Sequence, residues 1–424
     1  MTSEKPHSAA ASEIRILIAP EPAVGFEANL SAVAEAAGLP PFSAAAEAFI
    51  ADVSRTILRS PAMRQFPELM AMAHALRPAQ IAALKSAFES SNRDRIRRAV
   101  GMAFHIAPSN VDSIFVYSWF LALLGGNANL IRLSSRLGEQ VDRLIAVLGE
   151  VVGKPNHEDV RRRTLVVGYE RDDAVTAEIS KRCAIRVLWG GDATIEHVRA
   201  LPLNPHAREI AFADRFSLAL FDTATVLNAS DSDLRKLIDA FFNDAFWFDQ
   251  NACSSPRQIV WLGEPETVAQ AQERFWTALG SKLAETGWQL EPAAMMARMT
   301  AVQSFAARNE TPPVSGDWAA RGIVRIALPR LTEDARRSHP GGGVFYETVV
   351  PTLEALDDML GPRDQTLCVY GVARDTLRKW LKNRTGAGID RVVPVGHALD
   401  FSSVWDGQDL MDVFTREVAL EQEL

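Results

Sequence analysis

Apolar positions in the middle of the chain recur in short blocks separated by amphipathic stretches. We predict strands at 98–106, 130–133, 164–168 and 185–189, with one or two more within 209–221. Apolar residues at helical spacing predict helices at 111–124, 138–152, 172–183 and 192–201. Strands and helices that alternate at this spacing are typical of a parallel sheet covered by helices on both faces.

The second half of the chain repeats this alternation more loosely. We predict strands at 258–262, 345–350, 367–372 and 391–393, and helices at 230–247, 265–286, 353–360 and 375–382. The stretch 287–345 shows no clear period and is expected to be irregular. Before the alternation begins, a strand at 14–18 is followed by helices rich in Ala, Leu and Met.

These patterns predict an α/β protein of four parts. Residues 1–97 form a mostly helical segment that packs on the following domain, and 98–228 form a Rossmann-like domain. Residues 229–390 form a second α/β domain. Residues 391–424 return to the Rossmann-like domain or contribute to an oligomer interface.

Composition and charge narrow the class of protein. Of 424 residues, 47% are hydrophobic and 23% are charged, which indicates a globular protein with substantial cores. The net charge of −8 argues against a general surface for nucleic acid or anionic membranes. No leader pattern is evident, and the apolar run 114–124 is too short to span a bilayer. Three cysteines give no disulfide framework, so we expect a reducing cytoplasmic location.

One cysteine lies in a polar loop between a predicted helix and a predicted strand. The segment 249–257 reads DQNACSSPR, with Cys253 at its centre. Covalent catalysis needs an exposed thiol that rigid flanking elements hold in place. The alternative is a small packing residue, which is a common role for cysteine.

Three further segments follow predicted strands. Asn110 lies in an APSN loop, where it is either an oxyanion donor or the cap of the next helix. Residues 131–136, IRLSSR, form either a phosphate clamp or a solvated turn. Residues 189–194, WGGDAT, allow backbone amides to approach a pyrophosphate, or form only a capped turn. No spacing of histidines and cysteines predicts a metal site.

In this order, these segments resemble the aldehyde dehydrogenase superfamily, in particular its acyl-CoA reductase branch of LuxC-type fatty-acid reductases. The resemblance extends from about residue 98 to the end and is most specific at 241–261 and 390–407. It implies a Rossmann-like cofactor domain, a catalytic α/β domain, and a homo-oligomer. An acyl-transferring enzyme would be a further partner.

The resemblance also implies roles for individual residues. Cys253 matches the nucleophile, and the Asn110 amide matches the group that completes the oxyanion hole with the cysteine backbone N–H. Gly190 and Gly191, followed by Thr194, match the glycine turn near the cofactor pyrophosphate.

The cofactor expectation rests on the segment after the second predicted strand of the Rossmann-like domain. Arg132 matches a lysine that contacts the adenosine ribose, and Ser135 stands where NAD-preferring relatives often have a glutamate. Ser134 and Ser135 are uncharged, and Arg132 and Arg136 flank them, which favours NADPH over NADH.

Two departures from the superfamily pattern bear on the reaction. A gapless alignment places Ala211 at the general-base glutamate, and Glu209 reaches that position only by a shift. The segment that usually contacts the nicotinamide ribose is not evident. We therefore expect NADPH-dependent reduction of an acyl-CoA or acyl-carrier thioester to an aldehyde through an acyl-cysteine. A thiol acyltransferase or thioesterase, and a non-catalytic partner-binding subunit, remain alternatives.

Overall fold

The computed structural model describes residues 14–107, 114–135, 137–309 and 322–420. The chain divides into two compact units. The first comprises Met1–Ala213, Phe401–Val404 and Gln408–Leu424, and the second comprises Asp214–Asp400 and Trp405–Gly407. The division at 213/214 precedes the expected boundary at 228/229, because the strand that begins at Phe216 pairs with strands of the second sheet.

The first unit begins with a strand and a set of helices and continues as a strand–helix alternation. Its strands are β1 (Arg15–Ile18), β2 (Ile96–Ala99), β3 (Met102–Ile106), β4 (Ala128–Leu133), β5 (Thr164–Gly168), β6 (Ile185–Trp189) and β7 (Arg208–Phe212). Its helices are α1 (Phe26–Ala34), α2 (Ala44–Arg59), α3 (Pro67–Ala75), α4 (Pro78–Ser91), α5 (Ile114–Leu124), α6 (Glu139–Val152), α7 (Glu158–Arg161), α8 (Asp173–Arg182) and α9 (Asp192–Arg199). Short 3-10 turns occupy Pro61–Met63 and Pro155–His157.

The main sheet of the first unit has the strand order β1-β5-β4-β3-β6-β7. Strands β3 to β7 are parallel, and β1 adds an antiparallel edge. The chain order reverses between β3 and β6, so the carboxyl ends of these strands flank a topological switch point, where sheets of this kind bind ligands. WGG begins at the end of β6 and therefore lies at this edge, as does Ala107, which follows β3.

A buried histidine links three strands and a helix of this unit. His105 on β3 is fully buried, with Nε2 3.1 Å from Asn129 Oδ1 and Nδ1 3.0 Å from Ser118 Oγ. The Asn129 amide donates to Asn127 O at 2.9 Å, so its oxygen faces the ring and Nε2 carries the proton. Ser118 Oγ also accepts from Trp189 Nε1 at 3.1 Å. This network fixes α5 against the sheet.

The second unit is an all-parallel sheet with helices between its strands. Its strands are β8 (Phe216–Asp222), β9 (Pro256–Leu262), β10 (Val324–Ala327), β11 (Val344–Val350), β12 (Asp364–Tyr370) and β13 (Arg391–Pro394), in the order β10-β11-β9-β8-β12-β13. Its helices are α10 (Thr223–Asn228), α11 (Asp231–Phe246), α12 (Pro265–Thr286), α13 (Pro292–Asn309), α14 (Glu333–Ser338), α15 (Leu353–Asp357) and α16 (Arg374–Asn383).

Both faces of the second sheet are apolar. Along β9, Ile259 and Trp261 pack on one face with α11 and α12, and Val260 packs on the other. Strands covered on both sides therefore appear in the sequence as continuous apolar runs. Buried polar groups interrupt these apolar faces, among them the carboxylate of Glu347, which accepts from the indoles of Trp261 and Trp276 at 2.8 Å and pairs with Arg325 at 2.6 Å.

The end of the chain belongs mainly to the first unit. Two short strands, β14 (Val404–Trp405) and β15 (Gln408–Asp409), precede α17 (Leu410–Val413) and β16 (Thr415–Val418). β16 pairs antiparallel with β2, and Arg208 donates to the Val413 and Thr415 carbonyls at 3.1 and 2.8 Å. Among the described residues, no helix combines the length and apolarity that a membrane crossing requires.

Two elements differ from the predicted pattern. The predicted strand 98–106 is two strands, because Gly101 adopts a φ of 142° between β2 and β3 and the two join different sheets. The predicted irregular stretch 287–345 contains α13, β10 and α14. Helix α13 escapes a periodicity search because Met295, Met296 and Met299 are exposed, so its apolar residues do not mark a buried face.

The His105 network predicts an acid-sensitive first unit. Burial lowers the pKa of His105 to about 4, below its ordinary value of 6.5, so the unfolded chain binds a proton that the folded chain does not between those values. Stability should therefore be complete above pH 6.5 and fall as the pH decreases towards 4, by about 3 kcal/mol for this group. The urea midpoints measured at pH 7.5 and pH 5 should differ less in His105→Asn than in the wild type. An unchanged pH dependence in the variant would contradict this assignment.

Candidate active site

The loop that carries Cys253 has an unusual backbone conformation. It connects α11 to β9, and Asp249 and Gln250 have φ angles of 48° and 61°. Left-handed conformations are uncommon for residues other than glycine and persist only where the surroundings hold them. Backbone hydrogen bonds from Gln250 N to Ala245 O (2.8 Å) and from Asn251 N to Phe248 O (2.7 Å) close this turn onto the end of α11.

The buried side chain of Gln250 holds the loop in place. Its Nε2 donates to Pro256 O at 3.0 Å and Val344 O at 2.9 Å, and its Oε1 accepts from Gly343 N at 2.8 Å. One amide therefore satisfies three backbone groups that would otherwise be unpaired, and it joins the two ends of the thiol loop to the start of β11.

The segment SHPGGG packs directly against the thiol loop. Gly341, Gly342 and Gly343 all have positive φ, between 62° and 81°. A Cβ on Gly341 would lie 2.9 Å from Asp249 O, so only glycine permits this approach. Gly342 N donates to Asp249 O at 2.8 Å, and Arg298 of α13 donates to Gly342 O at 2.7 Å. The glycines thus form a backbone support for the loop that carries Cys253.

The sulfur of Cys253 lies among polar groups of the second unit. Gln365 Nε2, on β12, is 3.7 Å from Sγ, and Ser217 Oγ donates to the Cys253 carbonyl at 2.7 Å. Arg257, which donates to Gln250 O at 3.1 Å, contributes a positive charge nearby. Desolvation, followed by the charge of Asp406, raises the pKa of Cys253 to about 11, whereas Gln365 and Arg257 lower it.

The other two cysteines have different surroundings. Cys183 and Cys368 are both buried, whereas Cys253 is partly exposed. Desolvation raises the pKa of Cys183 to about 12 and that of Cys368 well above the usual range. Cys368 packs within the core that covers one face of the second sheet. Cys253 is therefore the thiol that combines access with polar neighbours.

A chain of polar residues continues behind the sulfur. Gln365 Nε2 also donates to Asp406 Oδ1. Asp406 Oδ2 lies 3.2 Å from Arg215 Nε, and Arg215 in turn pairs with Asp390 at 2.6 Å. Desolvation raises the pKa of Asp406, which Arg215 and Gln365 partly offset. No local pattern places Gln365 or Asp406 near Cys253, from which 112 and 153 residues respectively separate them.

In the first unit, the glycine turn of the predicted cofactor site follows β6. Gly190 and Gly191 lead into α9, with Gly191 as its N-cap. A Cβ on Gly190 would lie 3.3 Å from the Thr194 side chain, so the turn is tight. Trp189 stacks on Phe212 with ring centroids 3.8 Å apart. Backbone N–H groups at a glycine turn and helix start fit a dinucleotide pyrophosphate.

The predicted phosphate clamp lies at the carboxyl ends of β4 and β5. Arg132 donates to Tyr169 O at 2.9 Å and lies over the Tyr169 ring, so one of its amino groups is already engaged. Ser135 donates to the carboxylate of Glu170. Ser134 lies between them on the same strand end and is half-buried. The structure therefore brings a carboxylate to the position where the sequence indicated only hydroxyls and arginines.

Two of the predicted site residues, Asn110 and Arg136, lie outside the described residues. Glu209 lies on β7, and its carboxylate is held by Arg186 at 2.8 and 2.5 Å and by Arg199 at 2.9 Å. Both carboxylate oxygens of Glu209 are therefore engaged in ion pairs. Within the part of the chain that the structure describes, no cluster of three His, Cys, Asp or Glu side chains could hold a metal ion.

Comparison with known proteins shows the family and the fold. The family model for acyl-CoA reductase (LuxC) matches residues 69–417. Among solved structures, the aldehyde dehydrogenase KauB from Pseudomonas aeruginosa is 13% identical with a TM-score of 0.66, over 96% of this chain and 93% of that one. A lactaldehyde dehydrogenase is 14% identical with a TM-score of 0.65, over 92% and 89%.

A third solved structure contains a cofactor. It is a variant of the P. syringae indole-3-acetaldehyde dehydrogenase AldA in complex with NAD+ and IAA, 13% identical with a TM-score of 0.66, over 96% of this chain and 92% of that one. At this identity the likeness shows the aldehyde dehydrogenase fold. No significant match was found among curated protein sequences.

The Gln250 contacts predict that the loop depends on this side chain. Gln250→Leu would leave one backbone N–H and two carbonyls unpaired, which should lower the free energy of unfolding by about 3 kcal/mol or more. Urea unfolding monitored by Trp fluorescence measures this loss. Asn251→Leu, at the exposed neighbouring position, is the matched control and should change stability by less than about 1 kcal/mol. Equal stability of the two variants would contradict the role assigned to Gln250.

Proposed function

Since the chain belongs to the LuxC acyl-CoA reductase family, we propose that it reduces an acyl thioester to an aldehyde through an acyl group on Cys253, with NADPH as reductant. The observation that carries the proposal is the placement of Cys253. It is the partly exposed thiol, held in a loop that Gln250 and the SHPGGG segment support.

The chemistry begins at the sulfur. The Cys253 thiolate attacks the thioester carbonyl, and the Asn110 amide donates to the oxygen as negative charge develops on it. The tetrahedral adduct collapses, the carbon–sulfur bond to the carrier breaks, and the carrier thiolate takes up a proton. A bound nicotinamide cofactor would supply the hydride that reduces the acyl group. Cleavage of the resulting thiohemiacetal releases aldehyde and restores the thiol.

Pairing of Glu209 supports reduction over hydrolysis. Hydrolysis of an acyl-enzyme needs a base that activates water, and the matching position is Ala211. The neighbouring Glu209 is engaged by Arg186 and Arg199. An acyl-enzyme without such a base persists longer, which favours its reduction or its return to a thiol. Acyl transfer without hydride transfer is therefore the second candidate reaction. The further alternative, a non-catalytic partner-binding subunit, requires that Cys253 be unreactive towards thioesters.

The cofactor would be held by the first unit. Gly190, Gly191 and Thr194 would surround the pyrophosphate, and Arg132, Ser134, Ser135 and Arg136 would contact the adenosine ribose and its 2′-phosphate. Glu170 favours the competing cofactor, NADH, because a carboxylate accepts hydrogen bonds from free ribose hydroxyls and repels a phosphate. The preference thus depends on the balance between the arginines and Glu170.

The proposed function also implies substrate classes, a location and partners. Acyl-CoA and acyl-carrier protein are the substrate classes, and a cytoplasmic location fits their supply. We propose a homo-oligomer, and an acyl-transferring enzyme as a further partner. Neither nucleic acid nor a membrane span belongs to this function.

Acylation of Cys253 is the direct test of the function. Mixing the protein with an acyl-CoA in the absence of NADPH should give one acyl adduct, on the peptide containing Cys253. The Cys183 and Cys368 peptides serve as internal controls and should remain unmodified, because both thiols are buried. Addition of NADPH should release aldehyde and clear the adduct. An adduct on either control cysteine, or full activity of Cys253→Ala, would exclude the proposed mechanism.

The charge balance around Ser135 makes the cofactor preference testable. The wild type should have the higher kcat/KM with NADPH, and Arg132→Ala should reduce it about tenfold or more for NADPH while affecting NADH less. Glu170→Gln should move the preference further towards NADPH. If the wild type prefers NADH and Glu170→Gln reverses that preference, the site is an NADH site.

A further inference from the structure

The side-chain amide of Gln365 lies between the reactive sulfur and a buried carboxylate. Its single nitrogen is 3.7 Å from Cys253 Sγ and also donates to Asp406 Oδ1. Gln365 itself is 2% exposed and lies on β12, in the interior of the second sheet. An amide nitrogen has two hydrogens, so it can serve both acceptors at once.

The direction of this amide is fixed by its neighbours. Ionised Asp406 is an acceptor only, so a flipped amide would place oxygen against oxygen. On the other side, Gln365 Oε1 accepts from Thr366 Oγ1 at 3.3 Å. The nitrogen therefore faces the sulfur, and Gln365 can act on Cys253 as a donor.

Asp406 is itself held in one position. Asp406 and Gly407 have φ angles of 49° and 71°, the conformation of a two-residue hairpin turn between β14 and β15. Its side chain is 5% exposed, and Arg215, which pairs with Asp390, binds its second oxygen. The carboxylate cannot swing towards solvent without losing its contact with the Arg215 guanidinium.

We propose that Gln365 donates a hydrogen bond that stabilises the Cys253 thiolate, and that Asp406 is a positioning residue that keeps the Gln365 amide turned towards the sulfur. The inference rests on the proposed role of Cys253 as nucleophile. It assigns a second group to the activation of that thiol, on a strand distant in sequence from the thiol loop.

The electrostatic balance explains why a donor is needed. The charged groups that act on the sulfur are Asp406, which disfavours the thiolate, and Arg257, which favours it. Asp214 acts on Arg257, Arg257 in turn disfavours the charged form of His339, and Arg215 and Asp390 lie behind Asp406. Gln365 lets the protein retain the Asp406–Arg215 pair beside the nucleophile, because its amide offsets part of the repulsion at the sulfur.

The test is the pH dependence of Cys253 alkylation by iodoacetamide, followed on the Cys253 peptide by mass spectrometry. Gln365→Met keeps the side-chain volume and removes the donor. Loss of a hydrogen bond to the thiolate should raise the pKa of Cys253 by about one unit or more, so that less thiolate is present. The more basic thiolate is also the better nucleophile, which compensates part of this loss. Alkylation below the thiol pKa should therefore slow about threefold or more. Gln258→Met is the matched control, since Gln258 is equally buried but donates to Thr348, and it should leave the rate unchanged.

Asp406→Asn tests the positioning role in two backgrounds. In the Gln365→Met background, Asp406→Asn removes only a charge that repels the thiolate, so alkylation of Cys253 should become faster. In the wild type it also releases the amide, so the acceleration should be smaller or reversed. Equal acceleration in both backgrounds would show that Asp406 acts by charge alone and would overturn its positioning role. An unchanged rate in Gln365→Met would overturn the role of Gln365.

Two provisions keep the outcome clear. If Gln365→Met does not fold, Gln365→Asn withdraws the amide by one methylene and should slow alkylation likewise. Alkylation needs neither acyl thioester nor cofactor, so it is independent of aldehyde formation. If no acyl thioester is reduced but Gln365→Met still slows alkylation, the proposed function fails and the assignment of Gln365 stands.

Discussion

The arrangement of the loop that carries Cys253 depends on one buried amide. Gln250 carries a left-handed backbone and pairs with Pro256 O, Val344 O and Gly343 N. These bonds join the end of the thiol loop to the strand after the SHPGGG segment. Cys253 thereby lies on a short loop that is held at both ends, which gives its thiol a defined position without burying it in the core.

The same region exposes the Cys253 thiol to opposing influences on its charge. Desolvation makes the neutral thiol the favoured form of Cys253, since burial penalises a charge. Arg257 and the Gln365 amide oppose this effect with a charge and a dipole, and Asp406 is balanced by Arg215. Polar groups that are already oriented stabilise a developing charge without the cost of turning solvent dipoles.

In the first unit, a carboxylate that could serve as a base is engaged elsewhere. Glu209 closes an ion pair with Arg186, whose side chain is almost fully buried, and a second pair with Arg199. Such a buried pair is strongly disrupted by loss of one partner, so Glu209 has a structural role at the edge of the sheet.

The sequence by itself determined the two parallel sheets, the position of Cys253 in a polar loop, and the family. Strands at 164–168 and 185–189 coincide with β5 and β6, because buried parallel strands leave unbroken apolar runs between helices of clear period. Helix α13 was not predicted, because its methionines are exposed and carry no such period. Only the tertiary structure decided that Gln365 and Asp406 meet behind the sulfur and that Glu170 meets Ser135. Contacts between side chains on separate strands depend on sheet order and on the ends of loops, which local patterns of hydrophobicity do not encode.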